Sequence, residues 1–163
     1  MSQWVAMHVT ARVDYAMQAM LALAHSEPEP VPATELADAL DISYSYLLAV
    51  IGELRRAKLV RLLRGAEGGL VLANPATEIT LDQIIWAIDG PLTVTDGTQL
   101  DSAPGDVSAE YLPTLWFAAH CAMLDVFSQV RLADATTRHL PTRVAHLLTA
   151  ARPNLVNGQR VES

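Results

Sequence analysis

The chain has 163 residues, of which 51% are apolar and 18% charged, and a formal net charge of −7. That length predicts one domain, or a small domain with an appendage, and the apolar fraction excludes a disordered chain. One cysteine, Cys121, excludes an intrachain disulfide framework and any all-cysteine metal site within a single chain.

Alanine is abundant at 25 residues and glycine sparse at 8, so helices should dominate. From Thr10 to His25, Val13, Met17, Met20, Leu21 and Ala24 recur at helical spacing, and Thr10 can cap the start. The run Ser26-Glu27-Pro28-Glu29-Pro30-Val31-Pro32 breaks that helix, because proline supplies no amide donor. Pro32 then opens a second helix to about Leu40, with Leu36, Ala37 and Leu40 on one face. A tight turn at Asp41-Ile42 follows. Ser43 caps a third helix from about Tyr44 to Ala57, with Leu47, Val50, Ile51 and Leu54 inward.

The period then changes. Leu59 to Leu63 and Leu70 to Leu72 are short apolar runs around the loop Arg64-Gly65-Ala66-Glu67-Gly68-Gly69, which reads as a β-hairpin. Thr80-Leu81-Asp82-Gln83 has capping-box spacing and opens a fourth helix to about Asp89, which Gly90-Pro91 stops. Residues 93–110 are polar and read as a loop long enough to suspect function. A long helix is expected from about Tyr111 to Ala133. Its residues Leu112, Trp116, Ala119, Met123, Val126 and Val130 form a seam of period 3.5 suited to a matching helix of a second copy. After Pro141 a short helix is expected at Arg143–Ala151, with the last dozen residues frayed.

The fold class read from this pattern is mainly α with a small β-hairpin, a winged helix-turn-helix domain plus a long dimerisation helix. Asp41 takes the left-handed backbone of the turn, and Ile42 plugs the core behind it. The third helix would enter a major groove with Ser43, Tyr44, Ser45 and Tyr46 at its leading end. Tyr44 and Tyr46 would touch base edges, and Ser43 and Ser45 phosphates. Arg55, Arg56, Lys58, Arg61 and Arg64 fall in one ten-residue window with no acid in it, a positive patch on an acidic protein. Arg55, Arg56, Lys58 and Arg64 are the expected phosphate contacts. Arg64 would also probe from the hairpin tip, with Gly65 and Gly68 allowing close approach.

Met7-His8-Val9-Thr10-Ala11-Arg12-Val13-Asp14-Tyr15, Ile42-Ser43-Tyr44-Ser45-Tyr46-Leu47 and Leu54-Arg55-Arg56-Ala57-Lys58-Leu59-Val60 occur in order. Glu78-Ile79-Thr80-Leu81-Asp82-Gln83-Ile84-Ile85-Trp86-Ala87-Ile88-Asp89-Gly90-Pro91-Leu92 follows, and later Leu115-Trp116 and Arg131-Leu132-Ala133-Asp134. Together they resemble the Rrf2 family of bacterial transcription regulators, of the IscR, NsrR and CymR type, over roughly residues 7–136. The resemblance implies a dimeric DNA-binding repressor or activator, and in many members an iron–sulfur cluster held by three cysteines between the fourth helix and the long one. Residues 93–111 hold no cysteine here, Cys121 lies inside the long helix, and Asp101, Asp106 and Glu110 are oxygen ligands poorly matched to such a cluster. No cofactor and no metal is therefore expected. Glu67 at the wing tip and Leu70, where an aromatic is commoner, depart from the family pattern.

The organisation expected is a winged helix-turn-helix domain at 7–92, a loop at the effector position at 93–110, a dimerisation region at 111–140 and a tail at 141–163. The partners expected are double-stranded DNA, a second copy of the chain and a small-molecule effector. No apolar run is long enough to span a membrane, and no secretory signal pattern opens the chain, so the cytoplasm is the expected location. Cys121 reads as a buried or half-buried thiol, and Trp86 and Trp116 as packing residues. No acid–base–nucleophile constellation suggests an enzyme. A reading of another class, a winged-helix adaptor that does not bind DNA, is motivated by the net charge of −7 and by Glu67.

Overall fold

The computed structural model describes residues 10–90 and 111–156. Seven helices and two strands are present among them: α1 (Ala11–Ser26), α2 (Ala33–Ala39), α3 (Tyr44–Arg56), β1 (Val60–Leu63), β2 (Gly69–Leu72), α4 (Leu81–Asp89), α5 (Tyr111–Ser128), α6 (Leu132–Thr137) and α7 (Thr142–Val156). The expected loop 93–110, with Asp101, Asp106 and Glu110, lies outside the described residues, as do Met7 to Val9 and the side chains of Leu112 and Trp116.

Local chemistry sets most helix starts. The Val13 amide donates to Thr10 Oγ1 at 3.3 Å, and the Tyr46 amide donates to Ser43 Oγ at 3.3 Å. At α4 the Thr80 amide donates to Gln83 Oε1 at 3.2 Å, the reciprocal half of a capping box. Each contact satisfies an amide that the first helical turn leaves without a partner. Between α2 and α3, Asp41 sits at φ 52°, the left-handed backbone expected of it. The Ile42 amide then donates to the Ala37 carbonyl at 3.1 Å and closes the turn.

One core joins these elements. Met20, Leu36, Leu47, Val50, Leu54, Ile79, Ile84 and Leu132 are its most deeply buried large side chains. Ala16 and Ala19 on α1 and Ala37 on α2 are also buried, and their small size lets the helices approach closely. β1 and β2 pair antiparallel from Val60↔Leu72 to Leu63↔Gly69. Val31 adds a further antiparallel bridge to Leu70, so the segment before α2 borders the hairpin.

The long helix ends earlier than its apolar spacing suggests. α5 stops at Ser128, and a separate helix, α6, begins at Leu132. The intervening backbone is claimed by a distant segment. The Leu81 amide donates to the Val130 carbonyl at 3.0 Å, the Leu132 amide to the Ile79 carbonyl at 2.8 Å, and the Ala133 amide to the Ala76 carbonyl at 3.1 Å. The Arg131 side chain adds a bond to the Thr77 carbonyl. Val130 is buried by its own chain, which removes it from the seam predicted to face a second copy. α6 turns back to pack on α1. α7 runs beyond the expected Ala151 to Val156, and Arg143 near its start pairs with Asp125 of α5 at 3.0 Å.

Candidate nucleic-acid interface

α3 is divided lengthwise. At 100° per residue, Leu47, Val50, Ile51 and Leu54 project to one side, and all four are buried. Ser45, Leu48, Ala49 and Arg56 fall on the opposite arc, with Tyr44 and Arg55 on its flank, and all six are exposed. Gly52 lies at the middle of that arc with open space around it.

Of the predicted residues, Tyr44, Ser45, Arg55 and Arg56 come together on this exposed side of α3, and the two tyrosines are separated. Tyr44 is 49% exposed. Tyr46, two positions on, points about 200° away and is half-buried. Its ring meets Tyr15 of α1 edge to face, with centroids 5.7 Å apart. Tyr46 thus also bridges α3 and α1, which Tyr44 does not. Ser43 is exposed, but its Oγ serves as the helix cap and lies 3.3 Å from Ser45 Oγ. Leu48, which is not among the predicted contacts, stands in the open arc at 43% exposure.

The basic window forms a real groove. Arg55, Arg56, Lys58 and Arg61, with Gly52 and Leu62, line a depression of about 600 Å³ between the end of α3 and β1. Lys58 reaches it because α3 ends in a left-handed residue, Lys58 itself at φ 59°, after which the Leu59 amide donates to the Leu54 carbonyl at 2.9 Å. One acidic group, Glu53, pairs with a cation of the groove. Arg56 lies 3.6 Å from Glu53, which also pairs with Arg12 of α1. Arg61 borders a second cleft that contains Glu27 and Glu29. Arg55, Lys58, Arg61 and Arg64 are exposed and stand outside the ion pairs found among the described residues.

The wing glycines serve the hairpin first. A Cβ on Gly68 would lie 2.4 Å from the Leu63 carbonyl oxygen, and one on Gly69 would lie 2.7 Å from that of Val31. Gly65 sits at φ 120°, which side chains rarely allow, with open space beyond its Cα. So Gly65 is free for close approach at the tip, whereas Gly68 is needed for the turn itself. Glu67 is exposed beside it.

Other sequence expectations shift. Cys121 is exposed on α5, not buried. Trp86 is 48% exposed on α4, so it is not core of this chain. It borders an open groove with Lys58, Asn74, Glu78 and Gln83. His120 is half-buried, and burial pushes its pKa below the usual histidine value, against the opposing pull of Asp89. Among the described residues no three His, Cys, Asp or Glu side chains gather to hold a metal, and no helix is long and apolar enough to cross a membrane.

A helix-turn-helix with its second helix open to solvent, followed at once by an antiparallel hairpin, defines a winged-helix transcription regulator. The comparisons specify the class. Residues 9–138 match the family model Rrf2, described as an iron-dependent transcriptional regulator. Rv1287 of Mycobacterium tuberculosis, designated an HTH-type transcriptional regulator, is 36% identical over 86% of this chain and 88% of its own. IscR of Pectobacterium carotovorum, an HTH-type transcriptional regulator, is 38% identical over 96% of each chain. The solved structure of CymR, the global cysteine regulator of B. subtilis, superimposes with a TM-score of 0.65 at 26% identity, covering 80% of this chain and 96% of that one. The chain belongs to the Rrf2 family of transcriptional regulators. These relatives are regulators and not enzymes, in line with the sequence reading.

The family model's mention of iron meets a donor set that does not suit a cysteine-held cluster. The chain has one cysteine, on the open surface of α5. Thiolate is the usual protein ligand of such clusters, and a single one cannot supply the set.

Proposed function

We propose that the chain is a sequence-specific DNA-binding repressor that acts as a homodimer on a palindromic operator, without an iron–sulfur cluster. The observation that carries this reading is the open arc of α3 running into a groove lined by four cations, on a protein of net charge −7. Positive charge concentrated on the one face that a major groove would meet is what phosphate binding requires. Arg55, Lys58 and Arg64 are the principal phosphate contacts. Arg56 contributes less, because Glu53 shares its charge.

The homodimer reading rests on α5. Its 18 residues carry one charged side chain, Asp125. Leu124 and Phe127 pack inward against the core, while Ala119 is exposed and Met123 and Val126 are half-buried. With Leu112 and Trp116 these make the seam, which a second copy would cover by an isologous two-fold contact. That contact would set the two recognition helices about 34 Å apart, or a multiple of it. A small molecule acting at 93–110, where α5 begins, would alter that distance and so regulate binding.

Salt titration on the promoter of its own operon tests the reading. Each phosphate contact should add about −0.9 to the slope of log K against log salt. Because both protomers carry each residue, replacing Arg55 and Arg64 with alanine removes four contacts and should flatten the slope by about 3.6. Absence of any specific complex at low salt would favour a winged-helix adaptor that keeps a protein partner instead.

A further inference from the structure

The open arc of α3 changes character along its length. Tyr44, Ser45, Leu48, Ala49 and Gly52 occupy its first two and a half turns, and the cations begin only at Arg55. So the part of the helix that leads into the groove offers hydroxyls and hydrocarbon. It has no arginine to grip guanine, no amide to grip adenine and no carboxylate to accept from cytosine. Its largest open aliphatic group is Leu48, 43% exposed and one turn from Tyr44. Nearly half of that leucine's surface is left open by the chain's own packing. Ala49 and Gly52 beside it are small, and a Cβ on Gly52 would meet nothing within 4 Å. The backbone can therefore approach a surface closely, with Leu48 as its foremost aliphatic group.

The major groove presents one apolar group, the 5-methyl of thymine. We infer that Leu48 is a specificity-determining residue that packs on thymine methyl groups of the operator half-site, with Tyr44 and Ala49 completing the apolar contact. The occupant is duplex DNA because the same face continues directly into the Arg55, Lys58 and Arg61 groove, whose charge matches phosphate and not an apolar partner. This inference rests on the DNA-binding reading above and adds how the sequence is read: through thymine methyls and hydroxyl contacts, while the cations only position the helix.

Selection of binding sites from a random duplex library with the full-length protein gives the operator. Each half-site should contain thymines at the positions facing the helix. Replacing those thymines with deoxyuridine removes the methyl and leaves every hydrogen-bonding group in place. Wild-type affinity should fall about fourfold per methyl group, the factor expected for one buried methyl. Leu48→Ala should bind the thymine site more weakly, respond little to deoxyuridine, and bind scrambled DNA as the wild type does. Leu48→Met, which conserves volume, should keep the methyl response. Specific binding that is indifferent to deoxyuridine, or a methyl response unchanged in Leu48→Ala, would overturn this inference while leaving the regulator reading intact. No selected site at all would overturn both.

Discussion

Residues 10–90 and helices α5 and α7 differ in how far the chain itself covers their leucines. In the first region Leu36, Leu47, Val50, Leu54, Ile79 and Ile84 are essentially inaccessible to water. On α5 and α7, Leu115, Leu147 and Leu148 remain 51%, 47% and 53% exposed. The difference follows from geometry. Around α3, helices α1, α2 and α4 and the hairpin enclose apolar groups from several directions. Among the described residues α5 packs on α4, with Leu124 and Phe127 against the core and Leu115 exposed. A helix apolar on more than one side and packed on only one leaves surface for another molecule. The first region therefore finishes its core within one chain, and the second keeps surface that assembly can bury.

The sharpest way to break this contrast is a pair of substitutions, one in each region. Leu47→Ala should destabilise the protein by about 2–5 kcal/mol, through lost burial and the cavity left behind. Denaturant midpoints measured at two protein concentrations should fall equally, because the defect lies within the chain. Met123→Glu combined with Val126→Glu should leave the folded head in place but give monomers in sedimentation. Operator affinity should then drop by on the order of 100-fold, the usual loss when two linked sites become separate ones. A doubly charged variant that stayed dimeric and kept its affinity would mean the seam is wrong.

Smaller effects sharpen the contrast. Arg12 reaches from α1 to Glu53 on α3, and Glu53 Oε2 is buried with no hydrogen-bond partner. Removing the cation should cost about 1 kcal/mol, because Arg12 is itself half exposed. Arg12→Ala should also free Glu53 to hold Arg56 more firmly and weaken DNA binding slightly, which an equilibrium titration can check. The weakest effect is expected at His120. Its pKa lies below the ordinary 6.5 because burial disfavours the charged ring. The sign follows: the stability from the neutral ring is present above that ordinary value and is lost as pH falls through it toward the lower folded value. Unfolding midpoints compared at about pH 7.5 and about pH 5.5 should differ less in His120→Gln than in the wild type.

What the sequence determined by itself is local. Thr10, Ser43 and Thr80 initiate helices because each cap acts within three residues, as does the reciprocal bond from Gln83. Asp41 in its left-handed turn and the hairpin around Gly65 and Gly68 are equally local, so the winged-helix pattern was legible from residue order. Tertiary structure decided the rest. The apolar spacing of α5 continues through Val130, but the helix ends at Ser128 because backbone groups of Ala76, Ile79 and Leu81, some 50 residues away, bond to the chain beyond it. Tyr44 and Tyr46 are the same residue two positions apart, and the ring of Tyr15 on another helix turns one into an anchor and leaves the other open. Leu48 lies outside the inward set Leu47, Val50, Ile51 and Leu54, and only the packing of α3 shows it open to solvent. Periodicity states which side chains share a face. Which face is covered depends on partners far along the chain.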